Sequence, residues 1–188
     1  MVEAAPLNVL RFVELAVERK SAWGPGHYAS RQIEIDGELL DGYLTSRTGR
    51  AVQQSTPLVE GHAGAVTSGA YLRALLGGPK DDPLREGRIA IGYCDGCLDA
   101  SCGVLLGASL AIDGATVLWS RIGFEQLDEG PAPRLTPFWR KSAEPAVSID
   151  ATWEPRPFEP EIALRFDKSR YLEAIQAERR RLAAATAQ

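Results

Sequence analysis

"GRIAIGYCDGCLDASCGVLLGASLAID", residues 87–113, decides how the rest of the chain is read. Ile89, Ile91 and Tyr93 alternate with smaller residues ahead of the cysteines, and a second apolar run ending in Leu110 and Ile112 follows them. Period-two apolar spacing bounded by glycine is the mark of a strand. Two such runs joined by one short segment are expected to pair as antiparallel neighbours, which makes 94–102 the loop of a hairpin. Cys94, Cys97 and Cys102, the only cysteines in the chain, all fall in that loop.

Beyond it, "ASLAIDGATVLW" (108–119) predicts a tighter hairpin. Asp113-Gly114 suits the positive φ of a type I′ turn, and Val117 and Trp119 begin the next strand. The same turn chemistry occurs in "RQIEIDGELL" (31–40), after Ile33 and Ile35. The likeness covers only about ten residues, so it reads as two hairpins with one turn chemistry rather than a repeat.

Upstream, Val9, Val13, Leu15 and Val17 alternate, and their β-branching predicts a strand. "SAWGPGH" (21–27) predicts a loop. In "AGAVTSGAYLRALLGG" (63–78), Tyr71, Leu72, Leu75 and Leu76 form one helical stripe that Gly77-Gly78-Pro79 stops. "KDDPLREG" (80–87) reads as an exposed linker. The prolines after Gln126 predict a surface excursion over about 127–144. Edge strands are expected in "AVSIDATW" (146–153) and "EIALRF" (161–166). Asp167 then caps a terminal helix with Tyr171, Leu172, Ile175 and Leu182 on its apolar stripe. The expected fold is one α+β domain over residues 1–188, mostly antiparallel β-sheet with one central helix and a C-terminal helix packed on it.

Composition narrows the function. The 188 residues suffice for one domain with a real core. A net charge of −4 argues against nucleic acid as the partner. Arg179, Arg180 and Arg181 form the only basic run, placed where cations complement a helix dipole. No window approaches the roughly 20 apolar residues that cross a membrane, and the first residues lack a cationic leader. A cytoplasmic protein is expected, acting on an unidentified protein or small-molecule partner, with its oligomeric state open. An odd number of cysteines fits a secreted disulfide framework poorly.

Three chemistries compete for the cysteine loop. Cys94 and Cys102 stand at the hairpin mouth, where antiparallel partners lie about 4.5–5.5 Å apart at Cα, within disulfide reach. Cys94 and Cys97, spaced around Asp95-Gly96, also match the way zinc knuckles converge two thiolates. Structural zinc takes four ligands, so His62 is the expected fourth, with His27, Asp95 and Asp99 as alternatives. A thiol–disulfide redox enzyme would use the same cysteines, but Asp95 and Asp99 raise thiol pKa and blunt reactivity. The third reading is packing alone.

Other machinery is sparse. The sequence holds no phosphate-cradling glycine loop, nucleotide fingerprint or nucleophile elbow. Glu60 and His62 form at most a carboxylate–imidazole pair. "TPFWRK" (136–141) sets Phe138 and Trp139 beside Arg140 and Lys141, suited to a binding surface or to anchoring its own loop. The expectation is therefore a binding or interaction protein rather than an enzyme, with Cys94, Cys97, Cys102 and His62 as zinc ligands. The alternative is the redox enzyme.

A cysteine-bearing turn after a strand, then "VLWSRIGFE" (117–125), then "LRFDKSRYLEAI" (164–175), resembles a group of small uncharacterised proteins of high-GC actinobacteria. In that group a cysteine-rich turn precedes a strand ending in tryptophan, and a Phe-Asp-x-x-x-Tyr helix start closes the domain. The matching stretches cover roughly half the chain. The resemblance implies no activity and carries over no functional residue.

Overall fold

A computed structural model describes residues 6–21, 24–59, 67–80, 82–94, 98, 100, 103–128 and 152–186. They form an α+β fold with two sheets, and every ladder between strands is antiparallel. The first sheet holds β1 (Leu10–Ser21), β2 (Gly24–Ile35) and β3 (Glu38–Leu39), in that order. Helix α1 (Leu40–Thr48) follows directly. The second sheet runs β4 (Gln54–Ser55), β5 (Arg88–Cys94), β6 (Val104–Asp113), β7 (Thr116–Asp128) and β8 (Thr152–Pro157). Strand β9 (Leu164–Asp167) pairs with the first half of β7, leaving the second half to β8. Helix α2 (Ser68–Leu75) precedes β5, and α3 (Lys168–Thr186) closes the described chain. No helix among the described residues is long and apolar enough to cross a membrane.

The two Ile-Asp-Gly turns differ by one residue in register. In the first, Ile35 pairs with Glu38, so Asp36 and Gly37 are the central residues, at φ 54° and 88°. In the second, Asp113 pairs with Thr116, so Gly114 (φ 49°) and Ala115 are central. One tripeptide thus serves two turns: in the first Asp36 tolerates the left-handed region that most side chains avoid, and in the second Gly114 takes it instead. The first hairpin also has almost no second strand, since β3 gives way to α1, a helix the apolar spacing does not announce. Leu40, Tyr43 and Leu44 bury one side of it.

Other expectations shift. Gly24 to His27 lie inside β2, with Lys20 opposite Pro25, so "SAWGPGH" is mostly strand. Proline is tolerated where a strand has a neighbour on one side only. The same applies to β8, which carries Pro155 and Pro157 beside β7. The strand expected over 146–153 is seen from Thr152 onward, and 129–151 lie outside the described residues. That range includes Phe138, Trp139, Arg140, Lys141 and most of the expected excursion, whose first residues, Leu127 and Asp128, extend β7. The segment 80–87 is no free linker. Lys80 donates to the Leu84 and Arg85 carbonyls and to Asp82, and Leu84 is buried.

One core joins both sheets and all three helices through residues such as Ile33, Leu44, Leu72, Leu105, Val117 and Ile175. Two bulges pin it. Ile91 is the extra residue where β5 slips against β6, and its carbonyl accepts the Tyr71 hydroxyl of α2 at 3.0 Å. A bulge leaves one residue out of the ladder, which frees its carbonyl for such a donor. Burial holds the Tyr71 hydroxyl protonated, well above the ordinary tyrosine range, so it stays a donor. Helix α3 ties back to the first sheet through Glu178. This buried carboxylate accepts from Arg31 Nη2 at 3.1 Å and from Arg181 Nε at 2.8 Å. Arg181 therefore serves an ion pair on its own helix, beyond any dipole effect.

Asp167 caps α3 as expected. Its Oδ1 accepts from Ser169 Oγ at 2.5 Å and from the Arg170 N–H at 3.0 Å. The Ser169 bond first, then the Arg170 bond, hold its carboxyl below the usual carboxylate range. Because the folded pKa is depressed, the ionised cap stabilises above the unfolded-state pKa, and that contribution is lost as pH falls through the folded value. Asp167→Ala is thus expected to melt below the parent at neutral pH, with the gap narrowing in acid. Thermal melts of both proteins across that range check it, and a gap that widens in acid contradicts the cap.

Candidate functional site

The cysteine loop closes the hairpin expected for it. Strands β5 and β6 pair from Arg88 opposite Ser109 to Tyr93 opposite Leu105. Cys94 ends β5, partly buried, and its carbonyl accepts the Leu98 N–H at 2.9 Å. Leu98 is 2% exposed at φ 56°. A left-handed leucine costs on the order of 1–2 kcal/mol, while burying its side chain returns about 1.5–3 kcal/mol. On the far side, Gly103 (φ 72°) donates to the Ala100 carbonyl at 3.1 Å and accepts from the Leu127 N–H at 3.1 Å. Both feet of the loop are therefore fixed to the sheet. Cys97, Cys102, His62, Asp95, Asp99 and Glu60 lie outside the described residues. His27 is placed by its backbone only, opposite Glu18. Of the expected zinc ligands the structure positions Cys94 alone. Among the described residues no group of three or more His, Cys, Asp or Glu side chains could hold a metal.

Directly across the ladder from Cys94 is Gln54 of β4. Gln54 lines a cleft of about 170 Å³ where β2 and α1 face β4, β5 and β6. The apolar part is Leu15, Ile33, Leu39, Leu40, Ile91 and Leu106; the polar part is Gln32, Asp41, Gln54, Ser55 and Thr56. Gly92 shapes the wall: a Cβ there would stand 2.9 Å from Gln54 Cβ and 3.3 Å from Leu106 Cβ. Two of the polar side chains are committed to holding the sheets together. Gln32 accepts the Thr56 N–H at 3.1 Å and donates to Ser30 Oγ at 2.5 Å, and the Thr56 hydroxyl donates to the Arg31 carbonyl. Gln54 differs. Its Oε1 is buried and has no hydrogen-bond partner among the described residues. A buried acceptor left unmade costs about 1–3 kcal/mol.

A second polar constellation is structural. Glu125 of β7 reaches over β6 to Arg88 of β5, and both are buried. It crosses at Gly107, where a Cβ would collide with Glu125 Oε1 and lie 2.7 Å from its Cγ. Arg88 also donates to Ser109 Oγ at 3.0 Å and to the Arg121 carbonyl at 3.3 Å. Arg121 sits at φ 49° where β7 slips against β6, so the second bulge also supplies a carbonyl. Burial pushes the Glu125 carboxyl above its ordinary range, while Arg88, Lys80 and Arg85 pull it part of the way back. A buried, perturbed carboxylate is often functional, but every Arg88 contact here is spent bridging three strands.

Sequence reasoning missed both the cleft and this pair. The pair left a trace, charged residues inside strands whose neighbours are glycines. The cleft left none, because β2, α1 and β4 meet only in three dimensions. Comparisons with protein-family models, with curated proteins and with solved structures find no match for this chain.

Proposed function

We propose that the protein binds a small molecule in the cleft between its two sheets, and that the cysteine turn beside it is a structural zinc site. The observation that carries this reading is a cleft of about 170 Å³ with an apolar floor of Ile33, Ile91 and Leu106 and a few polar side chains, Asp41 and Gln54 among them. Ligand sites combine such a floor with a few placed polar groups. A cavity of 150 Å³ takes a benzene-sized guest, so 170 Å³ admits a compact one. Titrating the protein with small cationic, neutral and anionic compounds, followed by NMR of the Ile91 and Leu106 methyls, tests the site. Shifts confined to the cleft are expected, with Val117 and Ile175 unmoved. Silence from every class removes the binding reading.

Cys94, Cys97 and Cys102 would supply three thiolates and His62 the fourth ligand. The support is the anchored hairpin, whose feet at Cys94 and Gly103 are hydrogen-bonded and whose Leu98 is packed inward. A tetrahedral zinc there would brace the end of β5 that walls the cleft. Protein purified without chelator is expected to carry stoichiometric zinc by elemental analysis and to lose it on replacement of all three cysteines by serine. A metal-free protein whose thiols form a reversible internal disulfide would instead support the thiol–disulfide enzyme. That second reading draws on Cys94 lying opposite the cleft residue Gln54. If folding and metal content survive the triple replacement unchanged, both ideas fail and the cysteines are packing residues.

A further inference from the structure

The charge pattern of the cleft names the class of ligand. This inference rests on the binding reading above. Among the described lining residues there is no Lys, Arg or His, whereas Asp41 contributes a carboxylate. A ligand anion would bring like charge towards Asp41. The start of α1 does not reverse this. Leu39 gives it no side-chain cap, and Asp41 Oδ1 already accepts the Gly42 N–H at 2.7 Å. The helix end therefore carries its own anion, which offsets the dipole that would otherwise attract one. Hydrogen bonds from a charged donor are worth more than neutral ones.

We infer that the cleft binds a small alkylammonium: its N–H groups donate to the Asp41 carboxylate, and its branched apolar body rests on Ile33, Ile91 and Leu106. An ammonium has three donors and no acceptor, which suits a wall whose one charged lining side chain among the described residues is the Asp41 carboxylate. The size of the cleft limits the ligand to a short chain.

Three probes with one body and different heads decide it: isopentylamine, isopentanol and isovalerate, each titrated into the full-length protein and followed at the Ile91 and Leu106 methyls. The amine is expected to bind at least about tenfold more tightly than the alcohol, the difference one charge-assisted bond makes. Isovalerate is expected not to bind. Asp41→Asn should lower amine affinity by about tenfold while leaving alcohol binding as it was; the alcohol also reports that the variant has kept its cleft. Equal binding of amine and alcohol, or preference for isovalerate, overturns the ammonium assignment and leaves the cleft a binding site. No binding by any of the three overturns the assignment and the binding reading together.

Discussion

Gly107→Ala is expected to destabilise the protein by about 3–5 kcal/mol, although it adds a single methyl group. The added Cβ would occupy the path by which Glu125 crosses β6 to reach Arg88. Overpacking alone typically costs about 1–3 kcal/mol. Here the collision is with a buried carboxylate, and moving it aside strips Arg88 of its charge partner. Uncompensated buried charges cost roughly 3–5 kcal/mol. Urea denaturation followed by tryptophan fluorescence measures the change, since the midpoint should fall with little change in slope. The mechanism makes a sharper claim about combinations. With Arg88→Met and Glu125→Ala in the background, no charge remains to be stranded and the path over β6 is empty. Gly107→Ala should then cost less than about 1.5 kcal/mol, as tolerated core substitutions do. If the alanine is equally damaging in both backgrounds, Glu125 is not the reason for glycine at 107.

Trp119→Ala is expected to cost about 3–5 kcal/mol, the range for deleting a large buried aromatic. Trp119 is fully buried, with Phe166 edge-on at 5.2 Å and Tyr171 at 6.1 Å between ring centroids. It is also the first donor of a polar relay: Trp119 Nε1 donates to the Tyr171 hydroxyl at 3.1 Å, and that hydroxyl donates to the Leu75 carbonyl at 2.7 Å. The relay links β7 to α3 and α3 to the end of α2. Burial keeps the Tyr171 phenol protonated, well above the ordinary tyrosine range, so the second bond persists into alkaline solution. Tyr171→Phe keeps the ring and removes only the hydroxyl, stranding a donor and an acceptor, and should cost about 1–3 kcal/mol. Denaturation midpoints of the two variants, with near-ultraviolet circular dichroism to report the Trp119 environment, check both. A Tyr171→Phe protein as stable as the parent would show that the relay is incidental to the packing.

Much of this fold is legible in local pattern. The first strand, the β5–β6 hairpin around the cysteines, the Asp36-Gly37 turn, the α2 stripe and the Asp167 cap follow from period and turn chemistry. The misreadings share one cause. Pro25, Pro155 and Pro157 look like strand breakers, yet each sits in a stretch of strand that, among the described residues, has a ladder partner on one side, where a missing N–H is tolerated. Helix α1 follows a two-residue strand and begins without a capping side chain, so nothing local marks its start. Lys80 looks like a solvated lysine because the carbonyls it holds belong to a turn that only the folded chain forms.

The sequence by itself determined the class of the fold, the order of most of its elements and the loop that gathers the three cysteines, because each depends on neighbours within a few residues. It also set the chemical limits: a modestly acidic chain with three thiols and two imidazoles. Only the tertiary structure decided that Gln54 lies opposite Cys94, that Gly107 opens a path for Glu125, and that β2 and α1 close a cleft against β4, β5 and β6. Those relations join residues far apart in the chain. They are fixed by ladder register and by the bulges at Ile91 and Arg121, which shift the pairing without leaving a period in the sequence.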